Sequence, residues 1–349
     1  MRVKTFTLLM VFVLAGTYVM YGQTANVQII HNSADAAADS VDIYLDGSKL
    51  LDNFAFRNAT PFIEAPAGVA VDVGVAPKTS TSVDDTIYNA TVTFAAGETY
   101  VVVANGIVSG SGYSPHQPFD IYVYDMGRMM AGMGGNTDVL VFHGSTDAPV
   151  VDVTEPNALL GLVDDLGYGA FTTDYLELAT ADYSLQVQDE TGMTAVAQFG
   201  APLATLGLED SALVVLASGF LDPSVNSDGP AFGLYAALPM GGELVELPAE
   251  DISTAMVQVI HNSADLAADT VDVWLNDQPL LDNFAFRNAS PYVELTAGVE
   301  FDITVQPKTS TDTTNGLFRK TYSLAAGESY VLVANGIVSG SGYSPHQPF

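Results

Sequence analysis

The sequence contains no cysteine. That excludes disulfides, thiolate metal sites, a cysteine nucleophile and a cysteine-linked lipid anchor. Cations are scarce as well: 10 Lys and Arg stand against 41 Asp and Glu, for a net charge of −31. Nucleic-acid binding needs clustered cations to neutralise phosphate, and a polybasic membrane-surface segment needs them too, so both are excluded. Catalytic signatures are missing. There is no zinc-type H-E-x-x-H, no G-x-S-x-G elbow, no Walker loop and no dinucleotide glycine fingerprint. Ser109-Gly110-Ser111-Gly112 is followed by Tyr113 and Pro115 rather than by Lys, and reads as a loop. No acid, base and nucleophile set stands out, and no carboxylate pair is marked for glycoside hydrolysis, so we expect no enzyme. What is present is apolar: 48 % of the 349 residues are hydrophobic, too many for a disordered chain and enough for real cores.

The N-terminus has a short basic start (Arg2, Lys4), an apolar run from Leu8 to Ala15, and small or polar residues near Gly22 to Ala25. This is the layout of a cleaved secretory signal, and the run is short for a membrane span. We assign residues 1–25 to that signal and expect an exported chain with no transmembrane segment after cleavage. Removing it leaves 41 acidic residues against 8 basic ones. Such a surface stays soluble and repels its own kind.

Self-comparison shows three copies of one unit. Residues 26–119 align without gaps onto 256–349, with 60 identities in 94 positions. A divergent copy lies between them, where Val139 to Asp147 matches the opening of the other two. The resulting division is repeat 1 at 26–127, a Gly/Met-rich linker at 128–137, repeat 2 at 138–248, a polar linker at 249–255, and repeat 3 at 256–349. Such linkers imply some freedom between repeats. Repeat 3 stops before the equivalent of Asp120 to Asp125, so we read it as incomplete and the chain as a fragment.

Within each repeat the apolar residues alternate, as in Val41, Ile43 and Leu45, which marks half-buried strands. Tyr100 to Val103 is a continuous apolar run that suits a strand covered on both faces. Asp46-Gly47 and Asn105-Gly106 supply positive-φ turn positions. The best helical candidate is Ala158 to Leu166. About seven short strands per hundred residues predict an all-β chain of tandem immunoglobulin-like antiparallel β-sandwiches, the third truncated. Tyr100 and Tyr330 sit where such folds carry a tyrosine corner.

The opening H-x-S-x-D-A-P-x-V-D-V at His143 to Val153 resembles the bacterial exported domain-of-unknown-function 4397 family. The outer copies depart from it, with His31-Asn32-Ser33-Ala34-Asp35-Ala36-Ala37 and two extra residues before Val41-Asp42. The resemblance implies an exported, tandem, immunoglobulin-like surface domain and transfers no active site.

All five histidines fall at repeat-equivalent places. His31, His143 and His261 are followed two and four residues later by Ser and by Asp35, Asp147 and Asp265. The functional reading is a metal or polar-ligand site. The structural reading, which we prefer, is a turn motif: His ends a strand, Ser and Asp cap the turn, and Asp42 holds the imidazole. Calcium takes oxygen ligands, and Asp39, Asp42 and Asp46 form the densest acidic segment. Their spacing does not fit an EF-hand loop, so we assign no cofactor and retain calcium as the alternative. The loop from Gly106 to Phe119 offers Tyr113 and His116, and its identical copy offers Tyr343 and His346, a set suited to recognising a protein or glycan. Arg57 and Arg287 are read either as anchors for an anionic ligand or, preferably, as local partners of Asp52 and Asp282. The function that follows is a non-catalytic surface or extracellular module for adhesion, scaffolding or ligand recognition. The alternative is a calcium-dependent or carbohydrate-binding accessory region of a larger secreted enzyme.

Overall fold

The structure is a computed structural model that describes residues 23–314 and 316–349; residues 1–22, most of the assigned signal, lie outside it. The described residues form strands, turns and four single 3-10 turns. Repeat 1 holds β1 (Thr24–His31), β2 (Ser40–Leu45), β3 (Ser48–Ala55), β4 (Asn58–Ala59), β5 (Ile63–Pro66), β6 (Ala70–Pro77), β7 (Tyr88–Thr93), β8 (Thr99–Asn105) and β9 (Asp120–Tyr124). They make two sheets. One runs β3-β2-β6-β7; in the other β4 and β5 flank β1, which is followed by β8 and β9. Pairing is antiparallel except between β1 and β8. The β2–β3 hairpin turns at Asp46 (φ 46°) and Gly47 (φ 77°), the left-handed pair that matches the strand twist.

Repeat 2 follows with β10 (Asn136–His143), β11 (Val151–Glu155), β12 (Leu160–Leu166), β13 (Leu176–Ala179), β14 (Asp182–Asp189), β15 (Ala195–Pro202), β16 (Ala212–Ser218) and β17 (Gly233–Ala237). Short β18 (Gly242–Glu243), β19 (Val245–Glu246) and β20 (Ala249–Glu250) close it. The helical candidate at 158–166 is instead the edge strand β12, because pairing with β11 gives its backbone the ladder that a lone turn lacks. Repeat 3 comprises β21 (Thr254–His261), β22 (Thr270–Leu275), β23 (Gln278–Ala285), β24 (Val293–Thr296), β25 (Glu300–Pro307), β26 (Phe318–Ser323) and β27 (Ser329–Ala334).

Side-chain alternation decides what each sheet covers. Val27, Tyr100 and Val102 point into repeat 1, with Ala65 and Phe94. Ile30, Val101, Val103 and Tyr124 point the other way and share one buried core with Leu140, Phe142, Val214, Leu216 and Tyr235 of repeat 2. Repeat 2 behaves alike: Val139, Leu213 and Val215 face its own interior. The β1–β8 and β10–β16 sheets therefore pack face to face. That is why Tyr100 to Val103 has no polar side; its second cover is the next repeat.

This arrangement corrects the expectation of freedom at the 128–137 linker. Gly127 donates to Thr99 O (2.8 Å), Ala131 donates to Asp210 O (2.9 Å), and Arg128 bridges buried Asp138 (2.5 Å) and Glu177 (2.7 Å). On the far side, β18 crosses back to pair with β4 of repeat 1. The junction of repeats 2 and 3 is more polar: Gln188 Nε2 donates to Gly298 O (2.8 Å), and Glu300 N donates to Gly192 O (3.1 Å).

Phe142 is fully buried at the centre of the shared core, its ring 5.3 Å from that of Tyr122. Phe142→Ala should cost about 3–5 kcal/mol. Because the core belongs to both repeats, denaturant unfolding followed separately in repeats 1 and 2 should show both destabilised together.

Candidate functional site

The repeated His-x-Ser-x-Asp opening is a latch between distant loops. β1 ends at His31, whose ring is fully buried. Nε2–H donates to Ala38 O (2.7 Å) and Nδ1 accepts from Ser33 N (3.4 Å). Burial pushes the imidazole from 6.5 down to about 4, so it is neutral at pH 7. Ser33 Oγ donates to Gly106 O (2.6 Å), 73 residues on. Asp35 accepts from Ala37 N (2.9 Å), Val108 N (2.9 Å), Ser109 N (2.6 Å) and Ser109 Oγ (2.7 Å). Burial opposes its ionisation, but the bonds from Ala37 and Ser109 hold its carboxyl below the usual range. Gly106 is required here: its φ is +98°, and a Cβ would lie 2.4 Å from Pro118 O.

The other repeats build the same latch. His143 bonds to Pro149 O (2.9 Å), Ser145 to Gly219 O (2.8 Å), and Asp147 accepts from Leu221 N and Asp222 N (2.9 Å each). His261 bonds to Ala268 O (2.7 Å), Ser263 to Gly336 O (2.7 Å), and Asp265 accepts from Val338 N (2.9 Å) and Ser339 N (2.6 Å). A backbone carbonyl therefore holds each imidazole. Asp42, expected to do so, lies on β2 and takes Lys49 (2.7 Å), Ser80 (2.5 Å) and Asn53 N (2.9 Å) instead.

The acidic segment of repeat 1 is dispersed. Asp39 is exposed and pairs with Lys78 (2.8 Å), Asp42 is buried against Lys49, and Asp46 accepts from Asp72 N (2.9 Å). Among the described residues no group of three or more His, Asp and Glu is placed to hold a metal ion. A cleft of about 540 Å³ between repeats 2 and 3 is edged by Asp152, Asp164, Asp165, Glu190 and Glu300.

The loop after β8 has different surroundings in its two identical copies. In repeat 1, Tyr113 is buried against Phe220 of repeat 2, ring centroids 5.6 Å apart, and its hydroxyl accepts from Ala36 N (2.9 Å). Its ring is thus unavailable to an outside ligand, because repeat 2 covers it. In repeat 3, Tyr343 is half-buried; its hydroxyl donates to Asp265 (3.0 Å) and accepts from Leu266 N (3.1 Å). His116 and His346 are exposed, bonded through Nε2 to Ser109 O (2.9 Å) and Ser339 O (3.0 Å).

Arg57 pairs with no aspartate. It sits at φ 60° and projects into repeat 2, where it donates to Tyr235 OH (2.6 Å), Ser218 Oγ (3.1 Å) and Ala231 O (2.9 Å) and stacks on the Tyr235 ring at 3.8 Å. Arg287 stacks on Phe286 (4.9 Å) and is exposed. Sequence reasoning missed a second cross-repeat group. Asn32 donates to Asn105 Oδ1 (3.0 Å) and Ala217 O (3.3 Å), while Asn105 donates to Gly144 O (3.1 Å) and Tyr168 OH (3.1 Å). A Cβ at Gly144 would lie 2.1 Å from Asn32 Nδ2 and 2.8 Å from Ala217 O. The signal was in the sequence, since Gly144 replaces the Asn that follows His in both outer repeats.

The lowered imidazole fixes a pH dependence. Above pH 6.5 His31 is neutral both folded and unfolded and contributes no slope. Between 6.5 and about 4 the unfolded chain takes a proton that the folded one refuses, so stability falls with pH across that window. The loss from His31 is about 3 kcal/mol. Urea unfolding at pH 7, 5.5 and 4.5 should show it, and His31→Gln should flatten the slope.

The profile of the family described as Domain of unknown function (DUF4397) matches residues 25–125 and 255–345. The matched segments are the two outer repeats, whereas the opening motif at His143 lies between them. No curated protein matches the chain. Among solved structures, the Bacillus anthracis TIE protein is similar at 9 % identity and a TM-score of 0.18, over 90 % of this chain and 50 % of that one. The pilus adhesin SpaC from Lactobacillus rhamnosus GG is similar at 10 % identity and a TM-score of 0.17, over 92 % and 44 %. The chain spans about half the length of each, and scores this low bear on neither fold nor function. With more than half of its residues matched by the family profile, the chain belongs to the DUF4397 family.

Proposed function

We propose that this protein is a non-catalytic module of an exported, surface-located or extracellular protein, in which tandem immunoglobulin-like sandwiches serve adhesion or scaffolding. The observation that carries the reading is the pairing of repeats 1 and 2. Two sheets packed through one dry core, with Arg57 bonded across it, make a stiff block rather than beads on a string. Stiff tandem blocks hold recognition surfaces away from a cell and multiply weak contacts. The repeated His, Ser and Asp side chains, the most chemically suggestive in the sequence, bond to backbone groups that order the loops. No helix among the described residues is long and apolar enough to cross a membrane.

The acidic cleft between repeats 2 and 3 favours a second reading, a calcium-dependent or carbohydrate-binding accessory region of a secreted enzyme. Thermal melting of the full chain in calcium and in EDTA separates the two, because a ligand of the native state raises its melting temperature. We expect superimposable melts. We also expect binding to immobilised matrix proteins or glycans that survives EDTA and weakens several-fold in the Tyr343→Ala, His346→Ala double variant. A melting rise of many degrees in millimolar calcium would shift the assignment to the second reading. Turnover of a glycan would overturn both.

A further inference from the structure

We propose that the outer face of repeat 3 is a docking surface for a further β-sandwich of the repeat 2 kind. The face lies on β21 and β27, which correspond to β1 and β8. In repeat 1, Ile30, Val101 and Val103 are fully buried because repeat 2 covers them. Repeat 3 carries the same residues at Ile260, Val331 and Val333. There Val331 is 47 % and Val333 53 % exposed. Both valines lie on one face of β27, the edge strand of the β24-β21-β27 sheet, and paired exposed apolar side chains of this kind mark an interaction site.

The polar groups at the rim agree. Arg57 makes four hydrogen bonds to three residues of repeat 2, Tyr235, Ser218 and Ala231, while its counterpart Arg287 is exposed. Asn32 and Asn105 are buried and bonded across the interface; Asn262 and Asn335 are exposed, and the Asn262 side-chain amide donates to Asn335 Oδ1 (3.3 Å). The apolar residues of the two central strands, the asparagine pair and the arginine that repeat 1 uses to hold repeat 2 all recur in repeat 3, whereas Tyr122 and Tyr124 of β9 have no counterpart within residues 256–349.

The same groups fix the occupant. The repeat 1 face accepts a partner with glycine at the position of Gly144, since a Cβ there would meet Asn32 at 2.1 Å. Repeats 1 and 3 both carry Asn at that position, so a second copy of repeat 3 would bring Asn262 against Asn262. Repeat 2 of another copy is already covered by its own repeat 1. The complement is therefore an additional sandwich with a glycine after its strand-ending His, an apolar Phe142–Leu216 type face, and a tyrosine placed to receive Arg287.

The chain has no cysteine, so Val333→Cys gives a single reporter thiol. Maleimide labelling of that variant is compared in the full chain, in the full chain extended after Phe349 by residues 120–126, and in the full chain extended by residues 120–247. Docking predicts rapid labelling in the first two and labelling slower by at least about 100-fold in the third, because the thiol then reacts only through local opening. Gly144→Ala in the appended copy should restore it. A second variant does not depend on the appended unit folding. Residues 26–119 are replaced by 256–349, so that the repeat 3 module precedes the native repeat 2, and the cysteine replacing Val333 should become protected. Fast labelling in this chimera would overturn the proposal. So would a dimer of the unextended chain that already protects the thiol.

Discussion

The fold of the first two repeats depends on one contact, the sheet-to-sheet packing of Ile30, Val101 and Val103 against Phe142, Val214 and Leu216. A sandwich normally needs one apolar face per sheet. Here the β1–β8 and β10–β16 sheets are apolar on both, and each would leave a hydrophobic surface in water without the other. The remaining features of the junction follow from keeping that core dry and in register. β18 adds to β4 at one margin, the Arg128–Asp138 pair ties down the chain crossing at the other, and Arg57 spans the rim. The contact is built from corresponding strands of both repeats, so it has the character of a self-complementary dimer interface within one chain.

A second constraint shapes each repeat from within. The carboxylates of Asp35, Asp147 and Asp265 each receive two consecutive backbone N–H groups from a loop more than 70 residues away. The loop approaches so closely that glycine must stand at its start, as at Gly106 and Gly336. This bond set joins the first strand to the end of β8 or its counterpart. It orders the segment that, in repeat 1, seats Tyr113 against repeat 2.

Much of the fold was legible in the sequence. Alternation located β2, Asp46-Gly47 located a turn, and the unbroken run at Tyr100 announced a strand with two covers. The nature of the second cover was not legible, because it lies in another repeat and alternation reports burial without naming the neighbour. The segment at 158–166 was misread for the same reason: its strand state comes from β11, not from its own period. At the site, local spacing marked His31, Ser33 and Asp35 as turn residues, whereas their partners at Gly106 to Ser109 are set by topology. Arg57 was misjudged since sequence proximity favoured Asp52, while its left-handed backbone turns the side chain toward Tyr235.

The glycine at position 144 makes the two halves of the junction unequal. Asparagine on one side demands a bare backbone on the other, so the halves behave as complementary types rather than as interchangeable units. An array that grew by copying a single sandwich would set like against like and leave a steric fault at every second joint. Copying neighbouring sandwiches together preserves the complement. The unit that keeps this junction intact is thus the doublet of unlike sandwiches rather than the single one.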